Sequence, residues 1–165
     1  MRDVVIKLQT NELKYDIQFE TWLKNKVFNQ QLRNSNPRAE EVSLSFEDKA
    51  VDWLAREIDN SIGKIHAELN WAVCKEDEPA LRTDGITELP DEWHIHLRFN
   101  DDWVGSPRAL NSFAHMFVVA NLRYAWYRAI GNESFMLYRQ EADEALENLY
   151  MEARSERVHV EPFRL

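Results

Sequence analysis

Two histidines that lie two residues apart form the stretch of the sequence most similar to a metal or catalytic site. His94 and His96 alternate with apolar residues in WHIHLRF, so both imidazoles would project from the same face of a strand. Asp101, Asp102 and His115 follow nearby and could supply a third ligand to a metal-dependent hydrolase. The alternative is that both histidines belong to the solvated face of a half-buried strand. We favour it because isolated pairs of this kind are common by chance.

Other catalytic chemistries have less support in the sequence. The serines at or inside the predicted helices have no G-x-S-x-G turn around them, and the four glycines of the chain form no phosphate-binding loop. Cys74 has Lys75 beside it, but this cysteine is more typical of a small apolar residue at the edge of a core. Carboxylates in runs such as EADEALEN have the spacing of a solvated helix face. The sequence therefore predicts no catalytic residue, no metal ligand and no cofactor.

Composition indicates one folded domain. The 165 residues are enough to bury a core, and 44% hydrophobic with 30% charged residues is typical of a folded protein. The net charge of −9 disfavours tight wrapping of nucleic acid, which needs cationic side chains, but it is compatible with a surface along which DNA slides. A single cysteine excludes an internal disulfide and, together with the lack of a long apolar run, predicts a soluble intracellular protein.

The spacing of apolar residues divides most of the chain into helices and strands. Strands are predicted at 2–9 and 93–99, helices at 10–28, 46–73, 108–130 and 133–157, and loops at 29–43 and 75–92. Within 10–28, Tyr15, Ile17 and Phe19 also alternate as they would in a strand, and we take the helical interpretation.

The last two helices are predicted to pack against each other. Gly131 and Asn132 join them as a helix stop and an N-cap, and so short a connection favours an antiparallel hairpin. Ala142 and Ala145 are small enough for the helices to lie close together. The predicted fold is therefore mainly α: a helical bundle with a long antiparallel helical hairpin, a few short β-strands and an extended C-terminal arm.

The C-terminal arm is the part predicted to bind a partner. Residues 1–156 are expected to form a single helical domain, whereas 157–165, RVHVEPFRL, alternate like a strand with no obvious partner in the chain. The four Tyr and Trp residues in RYAWYRAIGNESFMLY cannot all face one core, so some are expected to face outward. The predicted partner-binding residues are Arg157, Val158, His159, Val160, Glu161, Pro162, Phe163, Arg164 and Leu165 of the arm, with Trp126 and Tyr127. Pro162 would prevent further pairing along one strand edge.

Four stretches together resemble a known family as a pattern that covers most of the chain. They are VVIKLQTNELKYDI, WHIHLRF, FAHMFVVANLRYAWYRAIGNESF and EALENLYMEARSERVHV. In size and layout the chain resembles the head-to-tail connector proteins, also called adaptor or neck ring proteins, of tailed bacteriophages, and it looks most like those of crAss-like phages.

The resemblance implies a structural virion protein without catalytic residues or cofactor. It implies a homo-oligomeric ring of about twelve copies below the portal, assembled in the cytoplasm of the bacterial host, with no role at a membrane. DNA would pass through the channel without specific binding, and the arm, 157–165, would dock against the portal or a neighbouring ring or tail protein. Two alternatives stay open: a metal-dependent hydrolase that uses His94 and His96, and a small cytosolic regulator that binds a host protein.

Overall fold

The computed structural model describes residues 1–35, 48–74 and 90–156, which form a mainly helical fold with one small sheet. The elements are β1 (Arg2–Gln9), α1 (Thr10–Ser35), α2 (Asp48–Glu68), β2 (Glu92–Phe99), α3 (Pro107–Ala129) and α4 (Phe135–Ala153). No helix of the described part is both long enough and apolar enough to cross a bilayer. The mainly helical class and both predicted strands are confirmed.

Helix α1 confirms the helical interpretation of 10–28 but continues to Ser35, so the loop predicted at 29–43 is wrong over 29–35. The asparagines and glutamines of this run tolerate a helix, and Arg33 in the last turn complements the helix dipole. The first residue incompatible with a helix interior is Pro37. The rest of that predicted loop, and 75–89 of the second, lie outside the described residues.

Helices α2 and α4 both end earlier than their apolar spacing predicts. After Glu68 the chain turns, and Val73 forms an antiparallel bridge with Leu97 of β2. After Ala153, Glu156 forms a similar bridge with Trp103. In both places pairing with a distant extended segment replaces the helical hydrogen bonds, and apolar periodicity within one segment carries no sign of such a contact.

The two strands pair with each other in an antiparallel ladder from Arg2 opposite Phe99 to Gln9 opposite Glu92. Alternate residues of both strands face the helices, and they are buried: Val4, Ile6, Leu8, Trp93, Ile95, Leu97 and Phe99. These residues join the apolar faces of all four helices in one buried cluster. The sheet therefore has one dry face and one solvated face, as the strict alternation in WHIHLRF predicts.

Helix α4 packs closely on α3, and Ala142, Ala145 and Ala153 of α4 are buried as their size favours. Ser106 caps α3 by accepting a hydrogen bond from the N–H of Ala109 (3.3 Å). Gly131 follows α3 with φ +68°, a left-handed conformation that glycine adopts without strain.

The start of α4 differs in detail from the predicted cap. The side chain of Asn132 accepts a hydrogen bond from the N–H of Ser134 (2.9 Å), and its carbonyl accepts one from Phe135 (3.1 Å). Asn132 thus stabilises the turn before the helix, and Ser134 is the N-cap residue, without a side-chain capping bond.

Thr10 fixes the junction between β1 and α1. Its buried hydroxyl donates to the carbonyl of Pro90 and accepts from the indole N–H of Trp93 (3.1 Å), while its backbone N–H donates to the carbonyl of Asp91 (2.9 Å). Three hydrogen bonds thus tie the first turn of α1 to the segment that leads into β2.

We predict that Thr10→Val lowers the free energy of unfolding by about 1–3 kcal/mol, because the indole N–H of Trp93 and the Pro90 carbonyl lose their buried partner. Thr10→Ser keeps the hydroxyl and is the matched control. Urea unfolding followed by tryptophan fluorescence measures both. Equal stability of the Val and Ser variants would contradict this role of the hydroxyl.

Substitution by alanine is predicted to lower the stability of the fold at Gly105 and to raise it at Gly63. A Cβ at Gly105 would lie 2.5 Å from the ring of Trp103 and 2.6 Å from the backbone carbonyl of Glu152, so Gly105→Ala should cost about 1–3 kcal/mol. A Cβ at Gly63 in α2 meets nothing within 4 Å, so Gly63→Ala should stabilise the helix by about 0.5–1 kcal/mol. Thermal unfolding of the two variants checks the prediction, and a stable Gly105→Ala variant would refute it.

Candidate functional site

The histidine pair lies on the solvated face of the sheet, beside Arg98. The rings of His94 and His96 are edge to face with centroids 6.1 Å apart, and His94 Nε2 lies 3.0 Å from Oε2 of Glu92. Arg98 pairs with Asp3 across the ladder (2.8 Å). Ion pairs and hydrogen bonds thus occupy this face, as expected for the exposed side of a strand.

The residues predicted as a third metal ligand are not brought to the histidine pair. Asp101 and Asp102 are exposed in the turn after β2. His115 lies on α3, where its Nε2 is 2.7 Å from Oδ2 of Asp16 on α1. Within 1–35, 48–74 and 90–156, no three His, Cys, Asp or Glu side chains are grouped so as to hold a metal ion.

Hydrogen bonds from Gln9 and, second, from His94 lower the pKa of the exposed Glu92 carboxyl below its ordinary value. Because the pKa of Glu92 is lower in the folded protein than in the unfolded chain, the hydrogen bonds to its carboxylate stabilise the folded state. This contribution is fully present above the ordinary carboxyl pKa. It is lost as the pH falls through the folded value.

We expect Gln9→Ala to raise the pKa of Glu92 towards its ordinary value, because the amide that donates to Oε1 is removed. An NMR titration of the Glu92 side-chain carboxyl measures this. Gln140→Ala is the control, since Gln140 donates instead to Glu144 on α4 (3.1 Å). A pKa of Glu92 unchanged by Gln9→Ala would contradict the assignment.

A shallow groove of about 290 Å³ lies between α1, α3 and α4. Asp16 and His115 pair with each other in it, and Arg123 also donates to the backbone carbonyl of Asp16 (3.4 Å). On the nearby face of α1, the rings of Tyr15 and Phe19 stack on each other, 64% and 53% exposed. Asp16 and His115 thus bind each other, and the carboxylates of Glu141 and Glu144 line the groove from α4. We assign no chemistry to this groove.

The two aromatic residues predicted to bind a partner have different environments. Tyr127 is 1% exposed and stacks on Tyr138 with ring centroids 5.1 Å apart, so the outward orientation predicted for it is not found. Trp126 is partly buried and lies edge to face with Trp53 (6.2 Å). A partner-binding role for Trp126 stays a prediction.

The most distinctive surface feature of the described residues is an unpaired strand edge, whose position the sequence did not indicate. The N–H of Lys7 donates to Oδ1 of Asn111 on α3 (2.7 Å), so it points away from β2. Because backbone groups alternate along an antiparallel strand, those of Asp3 and Val5 point the same way. No described residue hydrogen-bonds to these backbone groups, which we call the open edge.

The corresponding edge of β2 is occupied. Across the ladder from Val5 and Asp3, the His96 carbonyl accepts from Cys74 N–H (2.9 Å) and Arg98 N–H donates to the Ala72 carbonyl (2.7 Å). As far as the described residues show, one edge of the sheet is covered and the other leaves the backbone groups of Asp3 and Val5 open to another strand. The predicted arm, 157–165, lies outside the described residues.

Comparison of the chain with protein-family models, curated proteins and solved structures gave no significant match.

Proposed function

We propose that this protein is a structural virion protein that forms a ring in the head-to-tail connector of a tailed bacteriophage. The ring lies below the portal, lengthens the DNA channel and joins portal to tail. Its subunits are made in the bacterial cytoplasm and function in the neck of the virion. The proposal includes no catalytic residue and no cofactor.

The observation that carries the proposal is the open edge of β1. An exposed strand edge is a template for pairing with another chain, and proteins that stay monomeric usually cover it. Here Cys74 and Ala72 cover the edge of β2, and Asn111 accepts from the N–H of Lys7 on the edge of β1. The outward-facing backbone groups of Asp3 and Val5 have no hydrogen-bond partner among the described residues. A subunit of an assembly has a reason to keep such an edge.

Charge and shape support the same function. A net charge of −9 suits a channel wall past which DNA must move, because acidic side chains repel phosphate. In the proposal, α3 and α4 form the long antiparallel hairpin of the connector subunit. Two contacts support this part of the proposal. The N–H of Ser106 before α3 donates to Glu152 near the end of α4, and Tyr127 near the end of α3 stacks on Tyr138 near the start of α4.

The arm, 157–165, supplies the proposed connection to the portal or to a neighbouring subunit. Glu156, paired with Trp103, is the last described residue before it. Val158 and Val160 share one side of the alternating sequence and would enter apolar pockets, and Phe163 would anchor the end.

Deletion of 157–165 tests this function. We predict a folded protein that no longer co-purifies with the portal protein encoded in the same phage genome, with binding reduced at least about tenfold. Val158→Ser with Val160→Ser should have the same effect, because both apolar contacts are lost. His159→Ser, on the other side of the arm, is the matched control.

Normal co-purification of the truncated chain would show that the arm is not the connection. Full-length protein that ignores the portal but captures one host protein as a monomer would favour a regulator. Stoichiometric metal and hydrolytic activity, both lost with His94→Ala, would favour a hydrolase.

A further inference from the structure

We propose that the open edge of β1 receives residues 157–161 of a second copy of this chain as a parallel third strand. The inference rests on the proposed ring and names the surfaces by which its subunits meet. The arm contributes the added strand, and the backbone of Asp3 and Val5 is the acceptor.

Hydrogen bonding defines the register. With His159 beside Val5, a parallel ladder lets the N–H of Val5 donate to the carbonyl of Val158, and the N–H of Val160 donate to the carbonyl of Val5. One step earlier, the N–H of Asp3 donates to the carbonyl of Glu156, and the N–H of Val158 donates to the carbonyl of Asp3. All four unpaired backbone groups of the open edge are then used.

Both strands stop offering hydrogen bonds at the same point. The next pair of bonds would need the N–H of Lys7, which Asn111 already accepts at 2.7 Å. It would also need an N–H from residue 162, which is proline and has none. The acceptor edge and the donor segment therefore match in length, five residues from Asp3 to Lys7 and five from Arg157 to Glu161.

Side chains favour the same register and the parallel direction. On the solvated face Arg157 would lie beside Asp3 and Glu161 beside Lys7, so both pairs have opposite charges. The antiparallel arrangement centred on the same residues would place Glu161 beside Asp3 and Arg157 beside Lys7, which is repulsive.

On the other face the arm would add apolar residues to an apolar row. Val158 would lie beside Val4 and Val160 beside Ile6, which are 5% and 0% exposed in the described chain. The alternation of the arm thus fits the sheet on both faces.

We take the added strand from a second copy because the proposed function is a ring of identical subunits. Donor and acceptor are different surfaces of one subunit, so each copy gives its arm to the next and receives one from the previous copy. Such head-to-tail contacts close into a ring when the rotation between subunits allows it.

Disulfide trapping between full-length chains tests the pairing. Cys74→Ala removes the natural cysteine, Val5→Cys is placed in one chain, and His159→Cys in a second chain with a tag of different size. After mixing and mild oxidation, we expect the mixed disulfide at about tenfold or greater excess over a pair in which Leu137→Cys replaces Val5→Cys. Leu137 is 52% exposed on α4 and is the matched control.

Reversal of one charge pair provides an independent check in the same assay. Lys7→Glu alone and Glu161→Lys alone should each lower the mixed disulfide, and the two together should restore it, since the opposite charges are again adjacent. Restoration is not expected if the chains meet by chance.

Three results would overturn the inference. The first is an equal yield of mixed disulfide with Val5→Cys and with Leu137→Cys. The second is a disulfide that closes only within one chain carrying both Val5→Cys and His159→Cys. The third is a dominant disulfide between the Val5→Cys positions of two chains. Co-purification with the portal separates this inference from the proposed function. Portal binding without the mixed disulfide refutes the strand pairing alone, and the mixed disulfide without portal binding refutes the connector function alone.

Discussion

The antiparallel pairing of β1 with β2 is the interaction on which the other elements depend. It joins residues about ninety positions apart in the chain, from Arg2 opposite Phe99 to Gln9 opposite Glu92. The ladder aligns the apolar residues of both strands in one row that packs against the helices. β1 leads directly into α1, and the far edge of β2 holds Ala72 and Cys74, just beyond α2. One ladder therefore fixes the start of α1 and the chain after α2.

A two-stranded sheet is marginal on its own, so its surroundings must stabilise it. One face is buried under helices, and three polar contacts hold one end and parts of both edges: Thr10 with Trp93 at the end, Lys7 with Asn111 at the edge of β1, and Cys74 with His96 at the edge of β2. Among the described residues, the outward-facing N–H of Lys7 has a partner, whereas the outward-facing backbone groups of Asp3 and Val5 have none. Backbone groups left open on an otherwise hydrogen-bonded sheet are typical of a site where another strand pairs.

The sequence predicts the sheet and the helices well where one face of an element is buried. WHIHLRF alternates because its strand separates core from solvent. The predicted strand, 93–99, differs from β2 by one residue at its start. α3 is different, since Phe117 to Leu122 are buried in succession between neighbouring helices. On such a central helix no stripe separates inside from outside, and the burial of Tyr127 could not be foreseen.

Contacts between distant segments explain the remaining differences. The early ends of α2 and α4 depend on bridges to Leu97 and Trp103, and the open edge depends on the strand register. For the candidate site, the sequence indicated correctly that His94 and His96 lie on a solvated face, but it gave no sign of which backbone groups are free. A one-residue change of register would exchange the paired and unpaired groups of β1.

Asn111 distinguishes the proposed ring from a simple dimer. Two copies of β1 could also pair antiparallel about Val5, with Asp3 of each beside Lys7 of the other, an attractive arrangement of charge. That dimer would need the N–H of both Lys7 residues as donors to Asp3, and each is already bound to Asn111. The parallel arm requires no donor from Lys7, because its own hydrogen bonds end at Pro162. A single side chain on α3 therefore disfavours the closed dimer and is compatible with the parallel strand of the proposed ring.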